Sequence, residues 1–167
     1  MPGRKENNPF RNYASGPLLS WDIFMNGYWR QIALANDKQA LNKIAASNSW
    51  QQQWNFDTIL SKEGRVIIVT DPLLHIVFAS SNMPAMNGYT PQEVLGKSPK
   101  IFQGKDTDED TRAGIRSAIT ERKQFQASLI NYKKNGNSYH CDVEGYPVFN
   151  KEDKLVNFIA FEQVLSI

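Results

Sequence analysis

Residues 82–136 decide the fold, and their sequence is NMPAMNGYTPQEVLGKSPKIFQGKDTDEDTRAGIRSAITERKQFQASLINYKKNG. Residues 90–93 (Thr-Pro-Gln-Glu) form a capping box with proline at the first helical position, which predicts the start of a short helix. Residues 107–110 place acidic side chains where a helix dipole favours them, which predicts a longer helix. Its predicted inner face carries Thr111, Ile115, Ala118 and Ile119. From Phe125 the hydrophobic period changes to two, which is typical of a strand.

Further strands are predicted on both sides of this stretch. Residues 66–69 are the β-branched run VIIV, which suits a buried strand, and Asp71-Pro72 predicts the turn after it. Asn135-Gly136 is a strong hairpin signal and predicts a primed turn with positive φ. The expected strands cover residues 66–70, 75–79, 124–134, 138–149 and 154–164. We expect one five-stranded antiparallel sheet with helices packed on one face, an α+β fold.

The first 60 residues divide into a polar arm and a helical extension. Residues 1–16 are polar and contain proline and glycine, which predicts a mobile arm. Residues 17–60 are predicted to form helices in three pieces. The first begins after Pro17, the second is capped by Asn36 or Asp37, and the third begins near Ser49. The main domain is expected to cover residues 61–167.

Aromatic side chains are concentrated in the helical extension, where all four tryptophans lie between residues 17 and 54. They either pack on their own domain or meet a second chain, and the sequence leaves both interpretations open. The second interpretation predicts a homodimer built on residues 17–60 and on the outer face of the sheet. A two-fold pair would cover an apolar stripe that spans more than one helix face. That stripe contains Trp21, Phe24, Met25, Tyr28, Trp29 and Ile32.

The composition favours a soluble cytoplasmic protein. The chain has 19 basic and 17 acidic residues, a balance too mixed to indicate nucleic-acid binding. Its single cysteine, Cys141, excludes an intramolecular disulfide and fits a reducing compartment. The sequence shows neither an apolar run of the roughly 20 residues that a membrane span needs nor the apolar centre of a signal peptide at its start.

In the order of its elements the sequence resembles a PAS domain, and within that superfamily it is most similar to the LOV (light, oxygen, voltage) flavin photoreceptors. The resemblance covers residues 66–163 and is specific because many short strings keep the family's spacing. Among them are Val-Thr-Asp-Pro at 69–72, Asn-Gly-Tyr at 87–89, Phe-Gln-Gly at 102–104 and Tyr-Pro-Val at 146–148. It implies a PAS fold in which residues 82–135 form one wall of a small-molecule pocket. It also implies a surface ion pair between Glu93 and Lys134.

The resemblance implies a candidate cofactor pocket with FMN as the ligand to consider. At the phosphate end Gln103 and Arg116 match the LOV pattern, and Lys100 stands in for an arginine. A lysine supplies charge without the bidentate fork of arginine. An alternative is that Gln103 only satisfies backbone groups in an empty pocket and that Arg116 is a solvated charge.

At the end of the pocket that would hold the flavin ring, some residues match the LOV pattern and others do not. Asn131 matches the first ring-binding asparagine, whereas Cys141 replaces the second and Glu162 replaces the signalling glutamine of the last strand. Asn131 could likewise serve backbone groups alone, and Asn82 matches a polar position common to many PAS domains. A buried Glu162 is expected to need a partner or a raised pKa.

The photochemistry of LOV domains is not expected here. Residues 96–103 (Gly-Lys-Ser-Pro-Lys-Ile-Phe-Gln) occupy the motif whose cysteine forms the flavin adduct, and Pro99 stands at that cysteine's position. Proline has no nucleophile and no backbone N–H. If flavin binds, the resemblance therefore implies no thiol adduct.

These observations predict a non-catalytic sensory or dimerisation module of the PAS class. Binding of a ligand or a partner signalling protein would change helix packing or oligomeric state. The alternative is a flavin-binding photoreceptor or redox sensor without adduct chemistry. An enzyme is not expected, because the sequence contains no nucleophile elbow and no glycine-rich loop between a strand and a helix. A metal site is not expected either, because no histidines, cysteines and aspartates have metal-ligand spacing.

Overall fold

The computed structural model describes residues 16–165, with side chains from residue 21 onward. The chain divides into two compact units between Ala33 and Leu34. The elements are α1 (Gly16–Ser47), α2 (Phe56–Ser61), β1 (Val66–Thr70), β2 (Ile76–Ala79), α3 (Met83–Asn87), α4 (Pro91–Val94), a 3-10 helix (Pro99–Phe102), α5 (Glu109–Thr120), β3 (Phe125–Tyr132), β4 (Ser138–Phe149) and β5 (Leu155–Val164). The predicted arm at residues 1–16 lies, except for Gly16, outside the described residues.

The five strands form one antiparallel sheet in the order β2-β1-β5-β4-β3. Their bounds agree with the predicted strands to within two residues, so the sheet and the α+β class are confirmed. Val66 of β1 lies opposite Glu162 of β5, and Leu129 of β3 lies opposite Cys141 of β4. This register places alternate residues of neighbouring strands on a shared face.

One face of the sheet, here called the inner face, packs against the helices that follow β2. Its buried apolar side chains come from β1, β2, β3 and β4, and half-buried Ala160 of β5 packs beside them. They contact Met83 and Met86 of α3, Val94 of α4 and Phe102 of the 3-10 helix. Ile115 of α5 packs against the same cluster. On β4 the alternate residues Tyr139, Cys141, Val143 and Gly145 are buried, which continues the period-two pattern that the sequence shows from Phe125.

The helices on the inner face begin where the sequence predicts. At α4 the backbone N–H of Thr90 donates to Glu93 Oε2 over 2.9 Å, which completes the capping box. At α5 the backbone N–H of Thr111 donates to Asp108 Oδ2 over 2.7 Å. Glu93 also forms the predicted ion pair with Lys134.

The opposite, outer face of the sheet is covered by the chain's own residues. Leu41 of α1, Trp50 and two α2 residues, Phe56 and Leu60, pack on a buried set from the strands. That set contains Ile67, Val69, Phe78, Val148, Ile159 and Phe161. The predicted homodimer uses this face together with residues 17–60, and over β1 and β5 the chain's own residues already bury it.

The helical extension differs from the predicted three pieces. Asn36 and Asp37 lie inside one continuous helix, α1, because Leu41 and other apolar residues continue its buried stripe onto the sheet. Asp37 caps no helix. Its Oδ2 instead accepts hydrogen bonds from the backbone N–H of Ser81 (2.8 Å) and the Ser81 hydroxyl (2.7 Å).

The helix predicted near Ser49 begins later, at Phe56. Ser49 has a φ of 51°, and Trp50 then pairs with Asn150 in an isolated bridge, so the chain is extended there. Asn55 caps α2, accepting a hydrogen bond from the backbone N–H of Thr58 over 3.1 Å. The cap and the pairing with the β4–β5 turn together displace the helix from its predicted start.

The β3–β4 turn is of a different type from the predicted one. The backbone N–H of Gly136 donates to Lys133 O over 2.9 Å, and the N–H of Lys133 donates to Asn137 O over 2.8 Å. Gly136 has a φ of 87°, but Asn135 is not left-handed. A three-residue loop ending on a left-handed glycine replaces the primed turn, because the pairing of Tyr132 with Ser138 leaves room for the longer loop.

Gly136→Val is expected to destabilise the protein by about 1–2 kcal/mol, because a β-branched residue is strained at positive φ. The measurement is the urea midpoint of unfolding. Gly114→Ala is the control: Gly114 lies within α5 with nothing within 4 Å of an added Cβ, so this change should leave the midpoint equal or higher. An unchanged midpoint for Gly136→Val would contradict the described turn.

Candidate ligand pocket

A cavity of about 110 Å³ lies between the inner face of the sheet and the helices that cover it. The sheet contributes apolar side chains from β1, β3, β4 and β5, and α5 contributes Ile115 and Ile119. Four polar side chains also line it, namely Thr70, Gln103, Asn131 and Glu162. The cavity is thus a narrow apolar space with a few polar groups on its wall, the usual composition of a small-molecule site.

The 3-10 helix places Pro99 and Gln103 at the cavity. Ser98 precedes this helix, and its Oγ accepts a hydrogen bond from the backbone N–H of Lys100 over 3.4 Å. Phe102 anchors it, because its ring is buried against Tyr89 with the ring centroids 5.6 Å apart. Pro99 lines the cavity just before this anchor, and Gln103 lines it just after.

Phe125 narrows the cavity from the β3 side. Its ring lies against Gly145 of β4, the residue opposite it in the sheet. A Cβ added to Gly145 would overlap the Phe125 ring. The glycine therefore makes room for an aromatic ring, which in turn occupies space that a larger ligand would need.

Glu162 is the most unusual group in the pocket. Its side chain is only 5% exposed, and its Oε2 lies 3.9 Å from Cys141 Sγ, which donates a weak S–H hydrogen bond. Among residues 21–165 it forms no ion pair with a lysine, arginine or histidine. Burial raises the pKa of Glu162 to about 7. The carboxyl thus changes charge near neutral pH inside an apolar space.

The two titratable neighbours of Glu162 are neutral. Burial raises the pKa of the Cys141 thiol, and the charge of Glu162 raises it further. Burial also raises the pKa of the Tyr139 hydroxyl, and the charge of Glu162 raises it further. Neither group can supply a compensating charge to the carboxylate.

Several buried polar atoms near the pocket have no hydrogen-bond partner within the part of the chain that the structure describes. Thr70 Oγ1 and Asn131 Oδ1 lie on the cavity wall, and Asn87 Nδ2 and the Tyr139 hydroxyl lie behind them, where the Tyr139 side chain faces those of Asn87 and Asn131 without a well-formed hydrogen bond. Leaving such an atom unpaired costs about 1–3 kcal/mol, and most buried polar groups in proteins are paired. A cluster of them beside a cavity indicates a place where a ligand or water completes the structure.

The structure brings together only part of the predicted site. Gln103, Asn131 and Glu162 line the cavity, and Cys141 lies directly beside Glu162. Asn82 is not on the cavity wall; its Nδ2 donates to Arg65 O over 2.7 Å and its Oδ1 accepts from Ser80 Oγ over 2.6 Å.

The two predicted phosphate-binding cations are not among the residues that line the cavity. Lys100 is exposed, and Arg116, whose side chain is 53% exposed, donates to Glu109 Oε1 over 2.9 Å. The described side chains also contain no group of three or more histidine, cysteine or acidic residues that could hold a metal ion.

Sequence reasoning did not nominate Thr70, Phe125 or Tyr139 for the site. The period-two pattern places Tyr139 on the inner face beside Cys141, and it could have identified this residue. The contact between Phe125 and Gly145 joins neighbouring strands, so local pattern gives no signal for it.

Comparison with known proteins identifies the class. Residues 64–163 match the family described as PAS domain, and the chain belongs to that family. Protein TWIN LOV 1 of Arabidopsis thaliana is 40% identical over 102 residues, which are 59% of this chain and 26% of that protein. The blue-light photoreceptor of Listeria innocua is 35% identical over 92 residues, 53% of this chain and 36% of that protein. The chain thus spans about a third or less of these relatives.

A solved structure agrees in fold. The dark structure of the blue-light photoreceptor Aureochrome1 LOV matches with a TM-score of 0.62 at 24% identity, covering 70% of this chain and 86% of that one. With the family match, this likeness shows that the chain has the PAS fold and that its fold resembles that of LOV domains. No helix between residues 16 and 165 has both the length and the apolar character needed to cross a membrane.

Proposed function

We propose that this chain is a non-catalytic PAS sensory module in which occupancy of the inner-face cavity changes helix packing or dimerisation. The observation that carries the proposal is the cluster of unpartnered polar atoms beside the cavity, with buried Glu162 on its wall. Such a cluster changes its hydrogen bonding when a ligand enters. A partner signalling protein would read the change, and the single cysteine supports a cytoplasmic location.

Strand β5 gives the pocket a direct connection to the outer face. Glu162 and Ala160 line the cavity, whereas Phe161 between them is buried against the cluster that contains Leu41 and Phe56. Because adjacent residues of a strand point to opposite faces, a displacement of β5 moves both sets of contacts. Packed interfaces of this kind convert small shifts into changes of helix position.

A second connection runs from the start of β1 to α1. Val66 lies opposite Glu162, and the carbonyl of the preceding Arg65 accepts the hydrogen bond from Asn82. The neighbouring residue, Ser81, donates both of its hydrogen bonds to Asp37 of α1. These contacts support a path by which a change at Glu162 alters the hydrogen bonds between Ser81 and α1.

The proposed output is a homodimer formed through the N-terminal part of α1. Trp21, Phe24 and Trp29 are each about 60% exposed, at 60%, 61% and 59%, and Ile23 and Tyr28 are exposed as well. Soluble proteins seldom leave so many large apolar side chains on one short segment in contact with water. A second copy of the same helix would cover them in a two-fold pair, the commonest form of oligomer.

Replacing Trp21, Phe24 and Trp29 together with serine should convert a dimer into a monomer, because these side chains hold most of the exposed apolar area. Static light scattering at micromolar concentration measures the change. The control replaces the polar exposed residues Asn26 and Arg30 of the same helix with serine and should remain dimeric. A monomeric wild-type chain, or a dimeric triple variant, would contradict the proposal.

The second candidate is a flavin-binding sensor without adduct chemistry. It is supported by Gln103 and Asn131 on the cavity wall and by the similarity to LOV proteins. The residues do not fit FMN as a whole, because Arg116 is engaged with Glu109 and the cavity of about 110 Å³ is too small for three fused rings. We also infer that Pro99 leaves this chain without a thiol for a flavin adduct.

A further inference from the structure

We propose that the cavity binds a planar, single-ring heteroaromatic molecule whose N–H donors face Glu162, in place of a flavin. This inference rests on the proposed sensory function, since it names the class of ligand that the same pocket would sense. The ligand would be cationic or readily protonated, with two N–H groups on one edge. An aminopyridine is the simplest member of this class.

The size of the cavity sets the size of the ring. A cavity of about 150 Å³ in another protein accepts benzene, and drug-sized ligands need about 300–1,000 Å³. The cavity here has about 110 Å³. It is smaller than that benzene-binding cavity, so it admits no more than one six-membered ring with a one-atom substituent. The Phe125 ring on Gly145 limits any extension toward β3 and β4.

The walls favour a flat apolar body. Ile68, Leu129 and Val143 approach from the sheet, and Phe102, Ile115 and Ile119 approach from the covering helices. Aliphatic and aromatic side chains on two sides of a thin space complement the two faces of an aromatic ring. Burial of those faces would supply the apolar part of the binding energy.

Two acceptors on the wall, on Asn131 and Glu162, lack a strong donor. Asn131 Oδ1 is unpartnered, and the Glu162 carboxyl has only the weak S–H of Cys141. A ligand edge with two N–H groups matches a carboxylate in the bidentate manner of charge-assisted hydrogen bonds. A ligand that offers only acceptors would leave these oxygens unpaired at a cost.

The electrostatics favour a cation. Tyr139 and Cys141, the titratable groups that face Glu162, are neutral, and no lysine or arginine of the described chain forms an ion pair with it. Arg65, on the other side of the sheet, pairs with Glu144 over 2.8 Å. A cationic ligand would therefore be the counter-charge that the buried carboxylate lacks.

The test uses 2-aminopyridine as the probe and isothermal titration calorimetry near neutral pH on the whole chain. Benzoate and toluene are controls of similar size that lack N–H donors, and FMN is included to test the flavin alternative. We expect 2-aminopyridine to bind at least about tenfold more tightly than benzoate or toluene. Glu162→Gln should weaken the binding of 2-aminopyridine by a similar factor, and the Glu144→Gln variant should bind it as tightly as the wild type does.

Nuclear magnetic resonance locates the probe independently of any variant. Bound 2-aminopyridine should shift the methyl signals of Ile68, Leu129 and Val143. No binding, equal binding to Glu162→Gln, or tighter binding of FMN, benzoate or toluene would each overturn the ligand class. None of these results alters the dimerisation test with the Trp21, Phe24 and Trp29 variant, so failure of the ligand class and failure of the proposed function are distinguishable.

Discussion

Replacing Glu162 with glutamine is expected to stabilise the protein by about 3 kcal/mol near pH 8 and to flatten its stability between about pH 5 and 8. Glutamine has nearly the same shape and carries no charge. The native carboxyl is buried with only the Cys141 S–H as a hydrogen-bond partner, and burial raises the pKa of Glu162 to about 7. The expected gain is the cost of ionising this group inside the fold.

The sign follows from the two protonation equilibria of Glu162. In the unfolded chain the group has its ordinary pKa of 4.5, and in the folded chain its pKa is about 7. Between these values the folded state binds the proton more strongly, so stability is fully present below the lower pKa. It is lost as pH rises through the folded pKa, which places the loss between about pH 4.5 and pH 8.

Urea unfolding at a series of pH values, followed by tryptophan fluorescence, measures this profile. Asp37 contributes in the same direction, because burial raises its pKa as well, so some slope should remain in the variant. Glu144→Gln is the control, because Glu144 pairs with Arg65 at the surface side of the sheet. A Glu162→Gln profile parallel to that of the wild type would show that the carboxyl is not buried as described.

Gly145→Ala is expected to destabilise the protein by about 2 kcal/mol, within the range for overpacking a core. The added methyl group would overlap the far end of the Phe125 ring, so the ring would have to rotate away from Gly145 and lose its packing there. In a Phe125→Leu background the same change should cost less than about 1 kcal/mol, because the smaller leucine side chain leaves room for the added methyl group.

The difference between these two costs is the coupling energy of the pair, measured from four urea unfolding curves. Gly114→Ala again serves as the control, since a methyl group there meets no other atom within 4 Å. Equal costs of Gly145→Ala in both backgrounds would mean that Phe125 does not lie on Gly145. The pair also defines the ligand space, so the result bears on the size limit of the pocket.

The sheet and the inner helices were predictable because their signals are local. The capping residues of α4 and α5 and the period-two pattern of β3 and β4 lie within a few residues of the structure that they specify. The continuous helix α1 was not predictable in this way. Asp37 is a good capping residue by type. It lies inside the helix because Leu41 packs on the sheet and because Ser81, from outside the helix, donates hydrogen bonds to its carboxylate.

The candidate site was predictable where position on a strand determines which way a side chain points. Asn131 and Glu162 lie on the inner face by alternation, and both line the cavity. Arg116 lies on the exposed surface of α5, where a glutamate of the same helix is close enough to bind it. Its orientation therefore depends on a neighbouring side chain, which resemblance to a family does not specify. The size of the cavity likewise depends on the Phe125 ring and its partner on another strand.

The last strand of the domain lies in the middle of the sheet, with β1 on one side and β4 on the other. As the chain leaves a ribosome, the β1–β2 and β3–β4 hairpins can form from neighbouring residues, but the two halves stay apart until residues 155–164 have emerged. Until then β1 and β4 each present an unpaired edge, to which strands of other chains can add. Pairings distant in sequence also form slowly. The newborn protein is therefore most prone to aggregate just before synthesis of the domain ends, and a chaperone would protect it most at that moment.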